Sequence, residues 1–459
     1  MNHLTIGDAI HACKGKLIGT GISLDTEISD VIIDSRKVTK DSLFVALDGE
    51  RINAHRFIPN VMEGGALCVV SQEILENPSF PYILVDSTDQ ALLDIAKFYR
   101  DSFENLKVIG ITGSVGKTSS KEMIASVLSE KYKVHKTQGN FNNAVGLPLS
   151  IFRLSSDDEI SVLEMGVNHF GEMKLLSTTA TPDICVFTNI GSAHLEFFKT
   201  KEGIFKEKTT MLEDIRPGGS IIVNGDDKLL KCVAPTKGIV PTLYGTSPTF
   251  DTYADNVESL GLRGTNCDIH LRDGCSFRCH VPVPGFHMVL NALAAASVGQ
   301  ALSLSCSEIR RGIEKFTSSS GRNHIVDTNK IIILDDCYNA NPVSMKAAID
   351  VLSLGIGRKV AILGDMGELG DNCEELHREV GKYAADAGIN LVVSIGELSK
   401  AIKMGSSNNN PRVESLWFDT KEEFINKMTD IIEEGDNVLV KASHGMDLPA
   451  VVSALEKLY

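Results

Sequence analysis

The sequence predicts an α/β protein of three domains: a small α/β N-terminal domain, a central doubly wound P-loop domain, and a C-terminal Rossmann-like α/β domain. Its 459 residues are too many for one ordinary hydrophobic core. Over two long stretches, strand-like apolar runs alternate with helical segments, which is typical of parallel sheets. A glycine-rich turn with a lysine joins one of these strands to a helix.

The first domain is predicted over residues 1–105. Short β-branched runs here are bounded by polar turns, and one amphipathic helix follows them. No glycine-rich phosphate loop occurs in this stretch of the sequence. The predicted strands are 31–33, 43–47, 67–70 and 82–85, and the predicted helix is 90–100.

The central domain is predicted over residues 106–317 and closes with two helices. Parallel strands end at a common edge of their sheet, so we expect ligands to bind at the carboxyl ends of these strands. The predicted strands are 108–111, 160–164, 184–189 and 220–224, and the closing helices are 287–302 and 307–315.

The C-terminal domain is predicted over residues 318–459, after a Ser-Ser-Ser-Gly linker at 318–321. Strands and helices alternate again, but this domain has no phosphate loop of its own. Its predicted strands are 331–335, 359–364, 391–395 and 438–441.

The most informative segment is T-G-S-V-G-K-T-S at 112–119, between an apolar strand and a helix. It is shorter than the common G-x-x-x-x-G-K-[ST] loop, because Ile111 stands where the first glycine is wanted. A chance lysine in a strand–helix turn is the alternative, and the strand-before, helix-after context disfavours it. The segment predicts a nucleoside triphosphate site formed by Gly113, Ser114, Val115, Gly116, Lys117, Thr118 and Ser119.

Polar residues follow two other predicted strands of the same sheet. Glu164 ends one strand, where a hard cation beside the phosphates needs a carboxylate. His194 follows another strand, although a lone histidine is more often a capping or core residue. Lys206 and Lys208 lie on one helix, and a solvated helix face is the expected setting for one of them.

Composition excludes several classes of partner. The net charge of −15 argues against a nucleic acid or an anionic membrane as the main partner. The N-terminus has no signal-peptide pattern, and no apolar run is long enough for membrane insertion. Cys267, Cys275 and Cys279 flank a predicted hairpin turn, where buried free thiols are expected rather than zinc ligands. These features favour a reduced cytoplasmic setting.

Together these motifs resemble the Mur ligase superfamily of ATP-dependent amino-acid and peptide ligases. The shortened loop has that family's form, and matching strings follow in order through nearly the whole chain. Two strings in the last domain look like the D-alanyl-D-alanine-adding branch. The matching segments are 34–36, 43–47, 139–143, 164–166, 189–196, 285–287 with Asn291, 321–323, 335–342 and 363–370.

The resemblance implies an enzyme that joins D-alanyl-D-alanine to a UDP-muramoyl-tripeptide, with ATP and Mg²⁺ as cofactors. ATP would phosphorylate the peptide carboxylate, and the dipeptide amine would attack the acyl phosphate. A monomer is expected, and domain closure would bring the third domain to ATP. The substrate contacts implied are Ser35, Arg36, Asn142, Asn143, Asp336 and Asn341.

Other roles also come from the resemblance. Lys117, Lys208 and His194 are the implied catalytic residues, and Lys208 is implied to be carbamylated. A carbamate needs a neutral amine, which burial near metal ions favours by lowering the pKa of the lysine. The metal set is Thr118, Glu164, His194 and Lys208, and the further ATP contacts are Asn291, Arg322 and Asn339.

Several alternatives stay open at the level of sequence. A sister ligase adding a single amino acid is the nearest, and a nucleotide-gated binding protein with little turnover is another. The third residue of the tripeptide, lysine or diaminopimelate, is not encoded in a motif. Lys441 and His444 stand where the family often has Lys-Gly-Ser-Arg, so the role of that arginine is open here.

Overall fold

Three separate sheets organise the computed structural model, which describes residues 1, 3–49, 52–191, 195–318, 320–410 and 412–459. The sheets contain five, nine and six strands. They occur in chain order, as the alternation of apolar runs predicts. No described helix has the length and apolar character needed to cross a bilayer.

The N-terminal sheet has the order β1-β5-β4-β3-β2, with β1 antiparallel to β5 and the other pairs parallel. The four predicted strands and the helix are confirmed, and β1, α1 and α2 are additional. Its elements are α1 (Ile6–Cys13), β1 (Lys16–Ile18), β2 (Val31–Ile32), β3 (Leu43–Val45), α2 (Ile58–Glu63), β4 (Cys68–Ser71), β5 (Tyr82–Leu84) and α3 (Thr88–Asp101).

The central sheet has the strand order β14-β13-β12-β11-β10-β9-β6-β8-β7. Its elements are β6 (Lys107–Thr112), α4 (Lys117–Leu128), β7 (Val134–Lys136), α5 (Gly146–Ile151), β8 (Ile160–Glu164), α6 (Glu172–Ala180), β9 (Ile184–Phe187), α7 (Leu195–Phe198), α8 (Lys201–Thr209), β10 (Ser220–Asn224), β11 (Thr242–Gly245), β12 (Thr252–Ser259), β13 (Thr265–His270), β14 (Ser276–Val281), α9 (Phe286–Ala301) and α10 (Cys306–Glu314).

Strands β6 to β12 pair in parallel, and β13 and β14 add an antiparallel edge. The strand predicted at 184–189 ends two residues early. Thr188 and Asn189 are not part of the strand, and their side chains donate to the Val115 carbonyl of the phosphate loop instead.

The hairpin predicted around the cysteines is β13–β14. Cys267 and Cys279 are buried free thiols directly opposite each other in its register. The expectation for Cys275 was wrong, because Cys275 is disulfide-bonded to Cys306, with a Cα–Cα distance of 6.7 Å. The two residues are 31 positions apart, and only folding brings the hairpin turn beside the start of α10.

The C-terminal sheet has the order β15-β16-β20-β17-β18-β19, parallel except for β15. All four predicted strands are confirmed, and edge strands β15 and β19 are additional. Its elements are β15 (His324–Asp327), β16 (Ile332–Asp335), α11 (Pro342–Ser353), β17 (Lys359–Gly364), α12 (Cys373–Asp386), β18 (Leu391–Ile395), α13 (Lys400–Asn409), β19 (Glu414–Phe418), α14 (Lys421–Lys427), β20 (Asn437–Lys441) and α15 (Pro449–Leu458).

The N-terminal and central sheets share one continuous hydrophobic core. Arg100 of α3 is fully buried at this junction and donates hydrogen bonds to the carbonyl groups of Ala180 and Thr181. A shared core with a buried arginine makes these two parts one packed body. The C-terminal sheet has its own hydrophobic cores. Just before its first strand, the side-chain amide of Asn323 donates to the Pro284 carbonyl at 2.7 Å.

Candidate active site

The phosphate loop needs glycine at two positions. Gly116 precedes α4 with φ of +80°, in the left-handed region that glycine adopts without strain. At Gly113, with φ of +157°, an added Cβ would lie 1.9 Å from Thr188 Oγ1. The loop is therefore turned at one glycine and pressed against a neighbouring segment at the other.

That neighbouring segment braces the loop. The Val115 amide donates to Asn189 Oδ1 at 3.0 Å, and the Ser114 amide donates to the Asn189 carbonyl at 3.0 Å. Thr188 Oγ1 donates to the Val115 carbonyl at 2.7 Å. The two amides of Ser114 and Val115 are thus committed to protein acceptors in this structure.

The next four amides, those of residues 116–119, have no acceptor among the described residues. They lie at the start of α4, where the helix dipole is positive. This stretch of backbone has the arrangement that binds a phosphate.

Lys117 adds a positive charge to the same end of the helix. Its Nζ donates to the Gly113 carbonyl at 2.9 Å. Burial lowers the pKa of Lys117, Glu164 opposes this shift, and Arg322 of the C-terminal sheet lowers the pKa further. Arg322 is therefore near enough to the loop for its charge to act on Lys117.

Glu164 is almost fully buried at the carboxyl end of β8. Thr118 Oγ1 donates to Glu164 Oε2 at 2.7 Å, and Asn142 Nδ2 donates to Oε1 at 2.8 Å. The hydroxyl and the carboxylate predicted to bind a metal are thus in direct contact. Hard oxygen donors in this arrangement suit Mg²⁺.

Lys208 and Lys206 lie on different faces of α8. Lys208 is 3% exposed, whereas Lys206 is exposed. Burial holds the pKa of Lys208 well below its usual range, and the charge of Lys117 lowers it further. Lys208 is thus a buried lysine with a weakened preference for the ammonium form, within range of the charge of Lys117.

His194 lies outside the described residues, so its predicted place in the metal set is not described. The part of the chain that is described contains no group of three or more histidine, cysteine, aspartate or glutamate side chains able to hold a metal. Threonine and carbamylated lysine are not among these four residue types, so the predicted metal set would not form a group of this kind.

Asn291 on α9 is buried beneath the phosphate loop. Ser120 Oγ donates to Asn291 Oδ1 at 2.9 Å, and the Asn291 amide group faces Met288 Sδ at 3.4 Å. Asn291 thus connects α9 to the first turn of α4.

Arg322 precedes β15, and Asn339 lies between β16 and α11. The Arg322 guanidinium stacks on the ring of Tyr338, 3.7 Å from its centroid. Asn339 Oδ1 accepts a hydrogen bond from the Ala340 amide. The His444 ring lies 5.7 Å from the Tyr338 ring, so the position at which the family often has an arginine is occupied by an aromatic neighbour of this stack.

Several predicted substrate contacts have partners inside the chain. Asn143 and Asn341 accept backbone amides at the starts of α5 and α11, and Asn142 bonds to Glu164. Arg36, beside Ser35 on an exposed turn, forms a two-point ion pair with Asp34. That pair lowers the pKa of Asp34 to about 2.

Sequence reasoning assigned no role to Thr188 and Asn189, although Asn189 begins a string that resembled the family. Thr137 was also missed, and its hydroxyl accepts the Glu164 amide at 3.0 Å. Each stands just after a strand of the central sheet, at the edge where ligands were expected. Their positions after these strands were the sequence feature that could have identified them.

The chain matches two family models: the Mur ligase middle domain over residues 111–299, and the Mur ligase, glutamate ligase domain over residues 321–444. It is 36% identical to the UDP-N-acetylmuramoyl-tripeptide--D-alanyl-D-alanine ligase of Bacillus subtilis (strain 168), covering 98% of each chain.

Solved structures agree with these matches. A crystal structure of MurF from Acinetobacter baumannii superimposes with a TM-score of 0.92 at 30% identity, over 99% of this chain and 98% of that chain. MurF ligase from Thermotoga maritima in complex with ADP gives a TM-score of 0.83 at 28% identity, over 93% and 97% of the two chains.

Proposed function

The chain belongs to the Mur ligase family, and on that basis we propose that it joins D-alanyl-D-alanine to UDP-N-acetylmuramoyl-tripeptide with consumption of ATP. The product is the UDP-N-acetylmuramoyl-pentapeptide used in peptidoglycan precursor synthesis. The observation that supports the proposal is the contact between Thr118 and Glu164 directly beside Lys117, with Lys208 buried within range of the Lys117 charge. An amide ligase transfers a phosphoryl group before it forms the amide, so it needs these cationic and metal-binding side chains.

ATP binds at the start of α4 in this proposal. The amides of residues 116–119 and the Lys117 ammonium meet its outer phosphates, and Lys117 leaves the Gly113 carbonyl to do so. The γ-phosphoryl group passes to the terminal carboxylate of the tripeptide and forms an acyl phosphate. Lys117 stabilises the charge on the transferred group, while the loop positions it.

Thr118, Glu164, His194 and a carbamylated Lys208 are the residues that would hold Mg²⁺. The contact between Thr118 and Glu164 supplies the oxygen donors, and the depressed pKa of Lys208 favours the neutral amine that reacts with carbon dioxide. The bound ion would offset negative charge on the triphosphate. Asn142, bonded to the other Glu164 oxygen, keeps the carboxylate turned toward Thr118.

Domain boundaries at 105/106 and 317/318 complete the proposal. The N-terminal domain, with half-buried Ser35 and exposed Arg36 on one turn, holds the UDP end of the substrate. Asn142 and Asn143 lie where the peptide would pass, and Asn291 and Asn339 remain proposed ATP contacts. Asn341 stays a proposed dipeptide contact, and the protein acts as a cytoplasmic monomer.

The decisive experiment mixes the purified protein with ATP, Mg²⁺ and a UDP-muramoyl-tripeptide ending in either lysine or diaminopimelate. Phosphate release is measured across a panel of amines, and products are identified by mass spectrometry. Release that depends on D-alanyl-D-alanine, with formation of a UDP-pentapeptide, is the expected result. Faster release with a single amino acid would favour the sister-ligase alternative, and binding of ATP without turnover would favour the nucleotide-gated binding protein.

A further inference from the structure

Two adjacent aspartates at the end of β16 hold the segment that enters the C-terminal sheet. Asp335 Oδ2 accepts the Gly321 amide at 2.7 Å, and Asp336 Oδ1 accepts the Asn323 amide at 2.9 Å. The residue between these two anchored amides is Arg322. Its backbone is therefore fixed on both sides by carboxylates 13 or 14 residues further along the chain.

The Arg322 side chain is fixed as well. Its guanidinium lies 3.7 Å from the centroid of the Tyr338 ring. Tyr338 in turn donates its amide to the Gly321 carbonyl at 3.0 Å. A guanidinium stacked on an aromatic face keeps its charge while losing much of its freedom to rotate.

Lys441, at the end of β20, holds the other side of Asp336. Its Nζ donates to Asp336 Oδ2 at 2.6 Å, to the Asp336 carbonyl at 3.2 Å and to the Asn339 carbonyl at 2.9 Å. Lys441 is 2% exposed, so these bonds satisfy all three protons of a buried ammonium. Both oxygens of the Asp336 carboxylate are thus occupied, and its charge is already balanced.

This arrangement directs Arg322 toward the phosphate loop. The Asn323 side chain donates to the Pro284 carbonyl of the central domain at 2.7 Å, which anchors the segment across the junction. Pro284 lies just before α9, whose Asn291 bonds to Ser120 in the first turn of α4. The segment that carries Arg322 is thus anchored beside the helix that contacts α4.

We propose that Asp336 is a positioning residue which, with Asp335 and Lys441, holds Arg322 over the nucleotide phosphates, and that it is not a ligand of the dipeptide amine. This proposal rests on the proposed function and revises the substrate role that the family resemblance implied for Asp336. An aspartate already paired with a buried lysine offers little charge to an incoming ammonium group. Its three contacts are explained by the placement of Arg322 and of the loop at 336–339.

The test is a double-mutant cycle between Asp336→Asn and Arg322→Ala in the full-length protein. Asp336→Asn keeps an oxygen for the Asn323 amide but removes the charge that pairs with Lys441. We expect each single change to lower kcat at least tenfold, with the KM for D-alanyl-D-alanine changed less than twofold. The double variant should be no slower than Arg322→Ala alone, because both changes remove the same contribution.

Controls separate this role from general damage to the domain. Asp327→Asn removes an exposed carboxylate at the far end of the β15–β16 pair and should leave all parameters unchanged. If Asp336→Asn does not fold, Lys441→Gln breaks the same ion pair from the other side and should show the same kcat and KM pattern.

Two results would overturn the proposal. One is a tenfold or larger rise in the KM for D-alanyl-D-alanine in Asp336→Asn that Arg322→Ala does not share. The other is full additivity of the two changes. The same cycle can be measured on the affinity for a non-hydrolysable ATP analogue. This measurement needs no ligation, so it tests the placement of Arg322 independently of turnover. Absence of dipeptide-dependent turnover in the wild-type protein would refute the proposed function and not the placement of Arg322.

Discussion

Asn189 makes a closed pair of hydrogen bonds with the backbone of Val115. The Val115 amide donates to Asn189 Oδ1 at 3.0 Å, and Asn189 Nδ2 donates to the Val115 carbonyl at 3.1 Å. One side-chain amide therefore satisfies both polar groups of a residue in the middle of the phosphate loop. The shape of the loop depends on a residue 74 positions away in the sequence.

Asn189→Asp is expected to weaken ATP use. Aspartate keeps an acceptor for the Val115 amide, but it cannot donate to the Val115 carbonyl, and it adds negative charge beside the triphosphate. Loss of such a bond costs about 1–3 kcal/mol, so we expect the KM for ATP to rise about tenfold or more. Steady-state kinetics would show this, with Asn329→Asp in an exposed turn as the matched control. An unchanged KM for ATP would contradict the role of Asn189.

Lys117→Ala is expected to abolish ligation. The change removes the positive charge at the start of α4 that stabilises the transferred phosphoryl group, a loss of at least about a hundredfold in kcat. Phosphate release with all substrates present is the measurement. Lys131→Ala, which removes an exposed lysine just beyond the same helix, should retain activity. Near-normal turnover of Lys117→Ala would remove the phosphate-loop assignment.

Lys208, and not Lys206, is expected to carry a carbamate. Lys206 is exposed, whereas Lys208 is buried and burial lowers its pKa, so the Lys208 amine is neutral more often at neutral pH and can react with carbon dioxide. Incubation with isotope-labelled bicarbonate should give a carbamate carbon signal by NMR in the wild type and in Lys206→Ala. The signal should be lost in Lys208→Ala, and its persistence there would refute the assignment.

Glu164→Gln is expected to raise the Mg²⁺ concentration needed for half-maximal activity. The amide keeps the size of the side chain and an oxygen for Thr118, but it removes the charge that a divalent cation requires. His194→Ala should shift the Mg²⁺ requirement in the same direction. A Mg²⁺ titration of phosphate release measures both, and a curve identical to the wild type would return either residue to a structural role.

Stability should fall as the pH decreases below about 6.5. His377 is fully buried; its Nδ1 lies 2.6 Å from the Cys373 carbonyl, and its Nε2 accepts the Met366 amide at 2.9 Å. Burial lowers the pKa of His377, so the unfolded chain takes up a proton at a higher pH than the folded protein does. The stabilisation is complete above the unfolded pKa and is lost as the pH falls toward the folded pKa.

Urea unfolding between about pH 5 and pH 7 would measure this effect. The pKa values of His135 and His287 are also lowered by burial, so these residues act in the same direction. His377→Gln should reduce the pH dependence of the unfolding free energy, whereas His11→Gln at an exposed position should not. If the unfolding free energy depends equally on pH in both variants, His377 does not contribute to the pH dependence of stability.

Much of the fold could be predicted because local patterns encode it. The buried strands of the two parallel sheets are continuous apolar runs, and every predicted one is present. The missed strands β1, β15 and β19 are sheet edges with short or mixed patterns, and β11 and β12 were missed inside the central sheet. Their pairing depends on a neighbouring strand more than on their own residues.

The sequence by itself determined the phosphate loop, because its glycines, lysine and threonine are contiguous and act through their own backbone. It also placed Glu164 correctly at the carboxyl end of its strand, since a strand end is a local property. Tertiary structure alone decided which of Lys206 and Lys208 is buried, that Asn189 braces Val115, and that Asp336 pairs with Lys441. These contacts join residues that strand order brings together, and the period of apolar residues encodes each strand without encoding its neighbours.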